Sequence, residues 1–502
     1  MKQHKVSRLL IVAFINKIIK KFKLRLSTSI KDNKAVWLLF LISTLFLCLF
    51  MYISYRTLRF PVLDLGLFNR HMYSLINFDL SANPLKGFNL LGDHAHIFLI
   101  FLAPLYYLWP DPRFLLIVQV FAVTLSIFPI YYIAQHYLES KVSGILWALS
   151  YLLFFGFWAA LAYSFHDAPV AVLPISWALY HLLVSKKIRW LVVWLAILCL
   201  IREDMPLVAA MFGLYLVVIE RNWRVGLAVV IGSLAYMSLI MRYLLGSLGP
   251  GYSYTQNPFG NGMIDVVRAS FTQPIEVFKE LFYSPRGKTM TLLYMLGSFG
   301  GLSLLAPQIL LLMAPLWVGR TLTLQSWRWS TDMHYSASQA PFLAVSAIVG
   351  LATLVALLNY FSFFSAKLRK LMIVSISFGV VVTSFVVSLS TNNIQFMRVF
   401  VPDSYTLTAT QKSAYEASGL IPKIASVGVQ SPFVNLTSRR AVYNIPLPDG
   451  IYPDYVILID SIDIWPFASS SELIRYKDKL KSDNGYIEIF NKDKVFLLKK
   501  LK

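Results

Sequence analysis

"VWLLFLISTLFLCLFMYISY" (36–55) is followed, after four residues, by "FPVLDLGLFNR" (60–70). The first stretch is twenty residues without a charge, long enough to cross a hydrocarbon core of about 30 Å as a helix. The second places Asp64 between two short apolar runs where that helix leaves the bilayer. A spanning helix rejects a carboxylate, and an ordinary loop has no need of one there. Composition generalises the first observation: 57% of the 502 residues are hydrophobic and 14% charged. Soluble domains carry nearer a quarter charged residues. The chain reads as a polytopic α-helical membrane protein.

The net charge of +21 does not point to nucleic acid. Residues 1–35 carry ten Lys or Arg and one acid, Asp32. No cleavage pattern follows Val36–Tyr55, so the run reads as a retained helix and 1–35 as a basic cytoplasmic arm facing anionic headgroups. Cys48 and Cys199 stand in apolar runs, with neither disulfide nor zinc spacing.

Further apolar runs stand at 113–135, 143–164, 168–185, 188–202, 205–219, 224–245, 288–300, 302–318, 341–364 and 370–390. The basic short loops "SKKIR" (185–189), "ERNWR" (220–224) and "KLRK" (367–370) belong in the cytoplasm. They all fall there if 94–109 is a re-entrant or interfacial segment. The expected topology is then about eleven spans with the N-terminus inside and the C-terminus outside. The transmembrane region is expected over 36–390, with a first outer loop at 56–112. From 391 to 502 charges become frequent. "IASVGV" (424–429), "AVYNI" (441–445) and "YVILID" (455–460) read as strands, 469–483 as a capped helix, and 486–500 as a hairpin turning at 491–494. A small extracytoplasmic α/β domain is expected there.

In this topology the polar residues of the apolar region gather on one side. They are Asp64, "LLGDHAH" (90–96), "YSFHDAP" (163–169), "IREDMP" (201–206) and "TDMHYSASQAPF" (331–342). Five of the eight histidines lie there: His71, His94, His96, His166 and His334. Each has a plain alternative. Asp64 could cap a short helix, and Arg202-Glu203-Asp204 could be a solvated turn. His94 and His96, or His334 and Tyr335, could sit in an interfacial belt. Asp93, His94 and His96 could instead hold a divalent metal ion, although an i, i+2 histidine pair suits only an extended loop. Arg202 could grip a phosphate. Together the clusters suggest an acidic, histidine-bearing cavity at the outer membrane surface. "NLT" (435–437) matches the glycan-acceptor pattern but is short.

"LDLGLFNR", "GDHAHIFLIFLAPLYYLWPDPRFLLIVQ" (92–119), "FHDAP" (165–169), the Arg202-Glu203-Asp204 element, "GSFGGLSLLAPQILLLMAPL" (297–316) and "MHYSASQAPFLAVSAIVGL" (333–351) together resemble a family of prokaryotic integral membrane proteins catalogued as domain of unknown function 2079. The resemblance runs from about residue 36 to the end. In that family the opening motif usually ends in an acidic or Gln-containing stretch; here it ends Asn69-Arg70. The family's usual Lys-Glu-Asp element is similar to Arg202-Glu203-Asp204.

That family in turn resembles the GT-C glycosyltransferases, multi-helix membrane enzymes that take a sugar from a polyprenyl-phosphate carrier at an outward-facing site. The resemblance implies that Asp64 is the catalytic carboxylate. It makes Glu203 and Asp204 supporting acids, and Arg202 a phosphate contact. His166, Asp167, His334 and Tyr335 are expected to line the substrate site. The implied partners are the bilayer, a polyprenyl-phosphate-linked sugar and an acceptor that no residue specifies. A transporter or flippase, or a non-catalytic scaffold, is the alternative. A transporter should show repeats and midplane charges, and this chain shows neither.

Overall fold

In the computed structural model, residues 31–501 are described, apart from 251–255, 285–286, 361–364, 392–394 and 439–440. The basic arm expected over 1–35 thus lies almost wholly outside the described residues.

The apolar runs are helical. Six continuous helical stretches are long and apolar enough to cross a membrane: Lys34–Arg56, Arg113–Leu138, Asp167–Ser185, Trp223–Leu248, His334–Tyr360 and Ala366–Ser390. A seventh is the pair Lys141–Leu152 and Phe155–Tyr163, bent by 41°. The remaining runs are shorter than the expectation of about eleven spans requires. Ile188–Cys199 and Met205–Val218 have 12 and 14 residues, separated by the ionic turn at Arg202–Asp204. The run at 302–318 is broken into short helical pieces from Leu302 to Thr321, with Pro307 and Pro315 at the first turns of two of them. Phe98–Leu108, the segment expected to be re-entrant, is an 11-residue helix. It is roughly 16 Å long, too short to cross.

Hydroxyl side chains fasten these helices where backbone oxygens come within reach. Ser384 Oγ donates to the Ser298 carbonyl at 2.6 Å, and Ser303 Oγ to the Leu343 carbonyl at 2.9 Å. Trp147 Nε1 donates to Ser377 Oγ at 3.1 Å. Such bonds hold helices together where lipid supplies no hydrophobic drive between them. The bent pair turns at Phe154, whose backbone is extended. That bend sets Phe155–Tyr163 against the turn at His334–Gln339. A Cβ at Gly156 would meet the Ser336 Cβ at 2.7 Å, so only glycine permits this approach. Both elements carry cavity residues.

The C-terminal region forms a five-stranded sheet: β1 (Val427–Val429), β2 (Val442–Asn444), β3 (Tyr455–Ile459), β4 (Tyr486–Lys492) and β5 (Val495–Lys500), in the order β2-β1-β3-β5-β4. β2, β1 and β3 are parallel; β5 runs antiparallel to β3 and pairs with β4 as a hairpin. Asp493 and Lys494 both have positive φ, as a tight two-residue hairpin turn requires. Helix Ser470–Asp483 is capped by Ser469, whose hydroxyl accepts from the Glu472 N–H. Helix Ala409–Gly419 went unread in the sequence. It opens with a capping box between Thr408 and Gln411.

Candidate functional site

Five separate parts of the chain bring Asp64, Asp93, His94, His96, His166, Asp167, Arg202, Glu203, Asp204, His334 and Tyr335 to one cavity of about 500 Å³. All eleven residues expected from the sequence therefore share a site. Desolvated ionisable groups are costly unless paired, and most of them are paired across long sequence distances.

Asp64 sits in a π-helical turn, Val62–Gly66, that runs into helix Leu67–Ile76. Its Oδ1 lies 3.3 Å from His166 Nε2. Its Oδ2 is buried without a hydrogen-bond partner. His166 Nδ1 lies 3.9 Å from Asp167 Oδ1. Burial alone would lower the basicity of this imidazole, but the Asp167 and Asp64 carboxylates outweigh it and lift the pKa to about 9. On its other side His166 stacks on His334, with ring centroids 3.5 Å apart.

Glu203 is committed. Its Oε1 meets His94 Nδ1 at 2.7 Å and its Oε2 accepts from the Ala95 N–H at 3.0 Å. Burial would raise its pKa, yet His94 and Arg202 carry it down to about 2. His94 is in turn raised by Glu203 against the effect of burial. Arg202 clasps Asp204 through Nε and Nη2, the two donors of one guanidinium edge, and its Nη1 approaches Asp167 at 3.8 Å. Burial opposes its charge, and Asp204 and Asp167 restore it. Glu203 and Asp204, expected as supporting acids, stand as partners to His94 and Arg202. Arg202 is also less available to a phosphate than its charge suggested.

Asp93, His94 and His96, expected as possible metal ligands, each face a separate partner. Asp93 pairs with Lys86 at 2.9 Å, His94 with Glu203, and His96 Nδ1 with Asp167 Oδ2 at 3.0 Å. The three side chains turn to three different partners. Among the described residues no group of three or more His, Cys, Asp or Glu is disposed to hold a metal ion. His71 lies outside the cavity, buried in helix Leu67–Ile76. Burial, with His96 and Arg70 nearby, lowers it to about 3 and keeps it neutral.

The cavity also holds residues that sequence reasoning missed: Lys86, Tyr163, Gln325, Trp327 and Arg328. Arg328 Nε lacks a hydrogen-bond partner, and its guanidinium carbon stands 5.5 Å from the Tyr335 ring centre. The alternation of Trp and Arg in "SWRWS" (326–330) was the available signal. Behind it, buried Arg320 donates to the carbonyls of Arg328 at 2.8 Å and Ser330 at 2.6 Å and to Ser336 Oγ at 2.9 Å. It pins the segment that carries Arg328 and His334.

A family model described as "Predicted membrane protein (DUF2079)" matches residues 54–461. The chain belongs to the DUF2079 family. No curated protein matches this DUF2079 chain in sequence. Among solved structures it is similar to ArnT from Cupriavidus metallidurans bound to undecaprenyl phosphate. The two are 12% identical with a TM-score of 0.50, over 92% of this chain and 97% of that one. ArnT from the same organism in the apo state is 13% identical with a TM-score of 0.48 over the same shares. The DUF2079 chain therefore has the ArnT-like, GT-C fold, with its small sheet at the C-terminal end.

Proposed function

We propose that this protein is a membrane glycosyltransferase. It would move a sugar from a polyprenyl-phosphate donor to an acceptor hydroxyl on the extracytoplasmic face, with the N-terminus in the cytoplasm and the C-terminal domain outside. The observation that carries this reading is Asp64, a carboxylate in the lining of the cavity whose Oδ1 meets His166 Nε2 at 3.3 Å. The fold shared with ArnT, a protein solved with undecaprenyl phosphate, supports the donor class.

In the proposed reaction the acceptor hydroxyl gives its proton to Asp64 as its oxygen bonds to the anomeric carbon of the sugar. The bond from that carbon to the phosphate oxygen breaks, and its electron pair leaves with the polyprenyl phosphate. Arg328 and Lys86, with Arg202 behind Asp204, face the charge that develops there. Tyr163, Trp327 and Tyr335 supply aromatic surface for the sugar. Asp93, His94 and His96 do not converge, so no step is routed through a metal at that triad.

Purified protein in lipid discs, incubated with a panel of undecaprenyl-phosphate sugars, tests the reading. Water serves as the default acceptor. Release of free sugar and undecaprenyl phosphate from at least one donor is expected. Folded protein that neither turns over nor binds any donor would shift the reading to a transporter or scaffold.

A further inference from the structure

Asp64 owes its place to more than its own helix. Five residues on, Asn69 is fully buried. Its side-chain NH₂ donates to Thr437 Oγ1 at 2.8 Å and to Ser438 Oγ at 2.9 Å. Its side-chain oxygen accepts from the Tyr106 hydroxyl at 2.6 Å. One amide thus ties the Asp64-bearing segment to helix Phe98–Leu108 and to the C-terminal domain. Thr437 completes the network by donating to the Val434 carbonyl at 2.7 Å. The turn Val62–Gly66 itself packs on the turn Val434–Leu436. A buried polar network satisfied in this way holds one geometry, because each broken bond strands a desolvated group.

The same domain holds the first loop at two other places. At its start, Gln411 Nε2 donates to the Thr57 carbonyl at 3.0 Å and the Tyr415 hydroxyl to the Arg56 carbonyl at 3.1 Å. Near its end, Asn444 Nδ2 donates to the Leu85 carbonyl at 2.9 Å, one residue before Lys86 in the cavity wall. Asn444 closes β2, and the 430–438 segment follows β1. In open α/β sheets the carboxyl ends of parallel strands are where ligands sit. Here that edge engages the loop that carries Asp64 and Lys86.

We propose that the C-terminal domain is a positioning element for the Asp64 site, acting through the Asn69–Thr437 and Asn444–Leu85 bonds. The inference rests on the proposed role of Asp64. Asn69, Thr437 and Asn444 touch no reacting group; they act through the loop. Asn69 suits this place because an amide both donates and accepts, which a carboxylate would not.

The test is carried out on the full chain in lipid discs, with Thr437→Val and Asn444→Ala combined and Thr437→Ser as the conservative control. The first readout needs no turnover: the NMR titration midpoint of His166, which reports how close Asp64 stands. Loss of the two bonds should move it down by about half a unit or more, while Thr437→Ser keeps the wild-type midpoint. The second readout is kinetic: kcat falling about tenfold with donor KM unchanged, since an orienting contact is lost rather than a binding one. An unmoved His166 midpoint in a folded double variant overturns the proposal. A moved midpoint in a protein that turns over no polyprenyl-phosphate sugar leaves the positioning role standing and sinks the glycosyltransferase reading. If the double variant does not fold, the two single variants are read by the same criteria.

Discussion

The Asp64 carboxylate and the His166 imidazole meet at 3.3 Å across 102 residues of sequence. Their contact, backed by Asp167, holds the imidazole protonated up to about pH 9. A group whose pKa is raised on folding stabilises the fold fully below its unfolded value, about 6.5, and loses that contribution as pH rises through the folded value. The melting temperature should therefore fall between about pH 6.5 and 9, and fall less steeply in Asp64→Asn. Thermal melts across that window check this.

Glu203 carries the opposite sign. Its pKa is lowered to about 2, so its contribution is complete above the ordinary carboxylate range and is lost as pH falls toward 2. Glu203→Gln leaves His94 without its buried counter-charge. A loss of about 3 kcal/mol is expected, read by denaturant melts at pH 7. A loss below about 0.5 kcal/mol would place the pair among weak surface contacts instead.

Arg328 and Arg202 differ in how free they are. Arg202 is clasped by Asp204, whereas Arg328 Nε has no hydrogen-bond partner. Arg328→Gln should weaken undecaprenyl-phosphate binding roughly tenfold to a hundredfold, as loss of a charge-assisted hydrogen bond does. Asp204→Asn should tighten it, because Arg202 is released. Binding titrations on the two variants check both directions.

Gly156 tests how the bent helix pair shapes the site. A methyl group there meets Phe154 Cε1 at 2.5 Å and Ser336 Cβ at 2.7 Å. Gly156→Ala should cost about 1–3 kcal/mol by overpacking. It should also disturb the His166–His334 stack, which the melt and the His166 NMR signal would register together.

The place of the site was legible because ionisable side chains in an apolar chain are expensive and therefore conspicuous. Asp64, His166, Arg202 and His334 could be read that way. The pairing was not legible. Nothing in "GDHAH" announces that His94 turns to Glu203 and His96 to Asp167, since both partners lie far along the chain. Two histidines that stand side by side in the sequence thus face two different carboxylates. Arg328 and Lys86 escaped because cations in polar loops look ordinary. Most strands of the C-terminal sheet stand where short apolar runs lie between turns. Helix Ala409–Gly419 has no clear apolar stripe and escaped notice. Span number was the least readable feature, because composition marks apolar runs but not where prolines and ionic turns break them.

The most direct measurement compares wild type with Asp64→Asn in single-turnover transfer or hydrolysis of an undecaprenyl-phosphate sugar, with folding checked by melting. The account predicts a rate loss of at least about a hundredfold with donor affinity unchanged, because an amide of matched shape cannot take the acceptor proton. Turnover at the wild-type rate in the folded variant would contradict it.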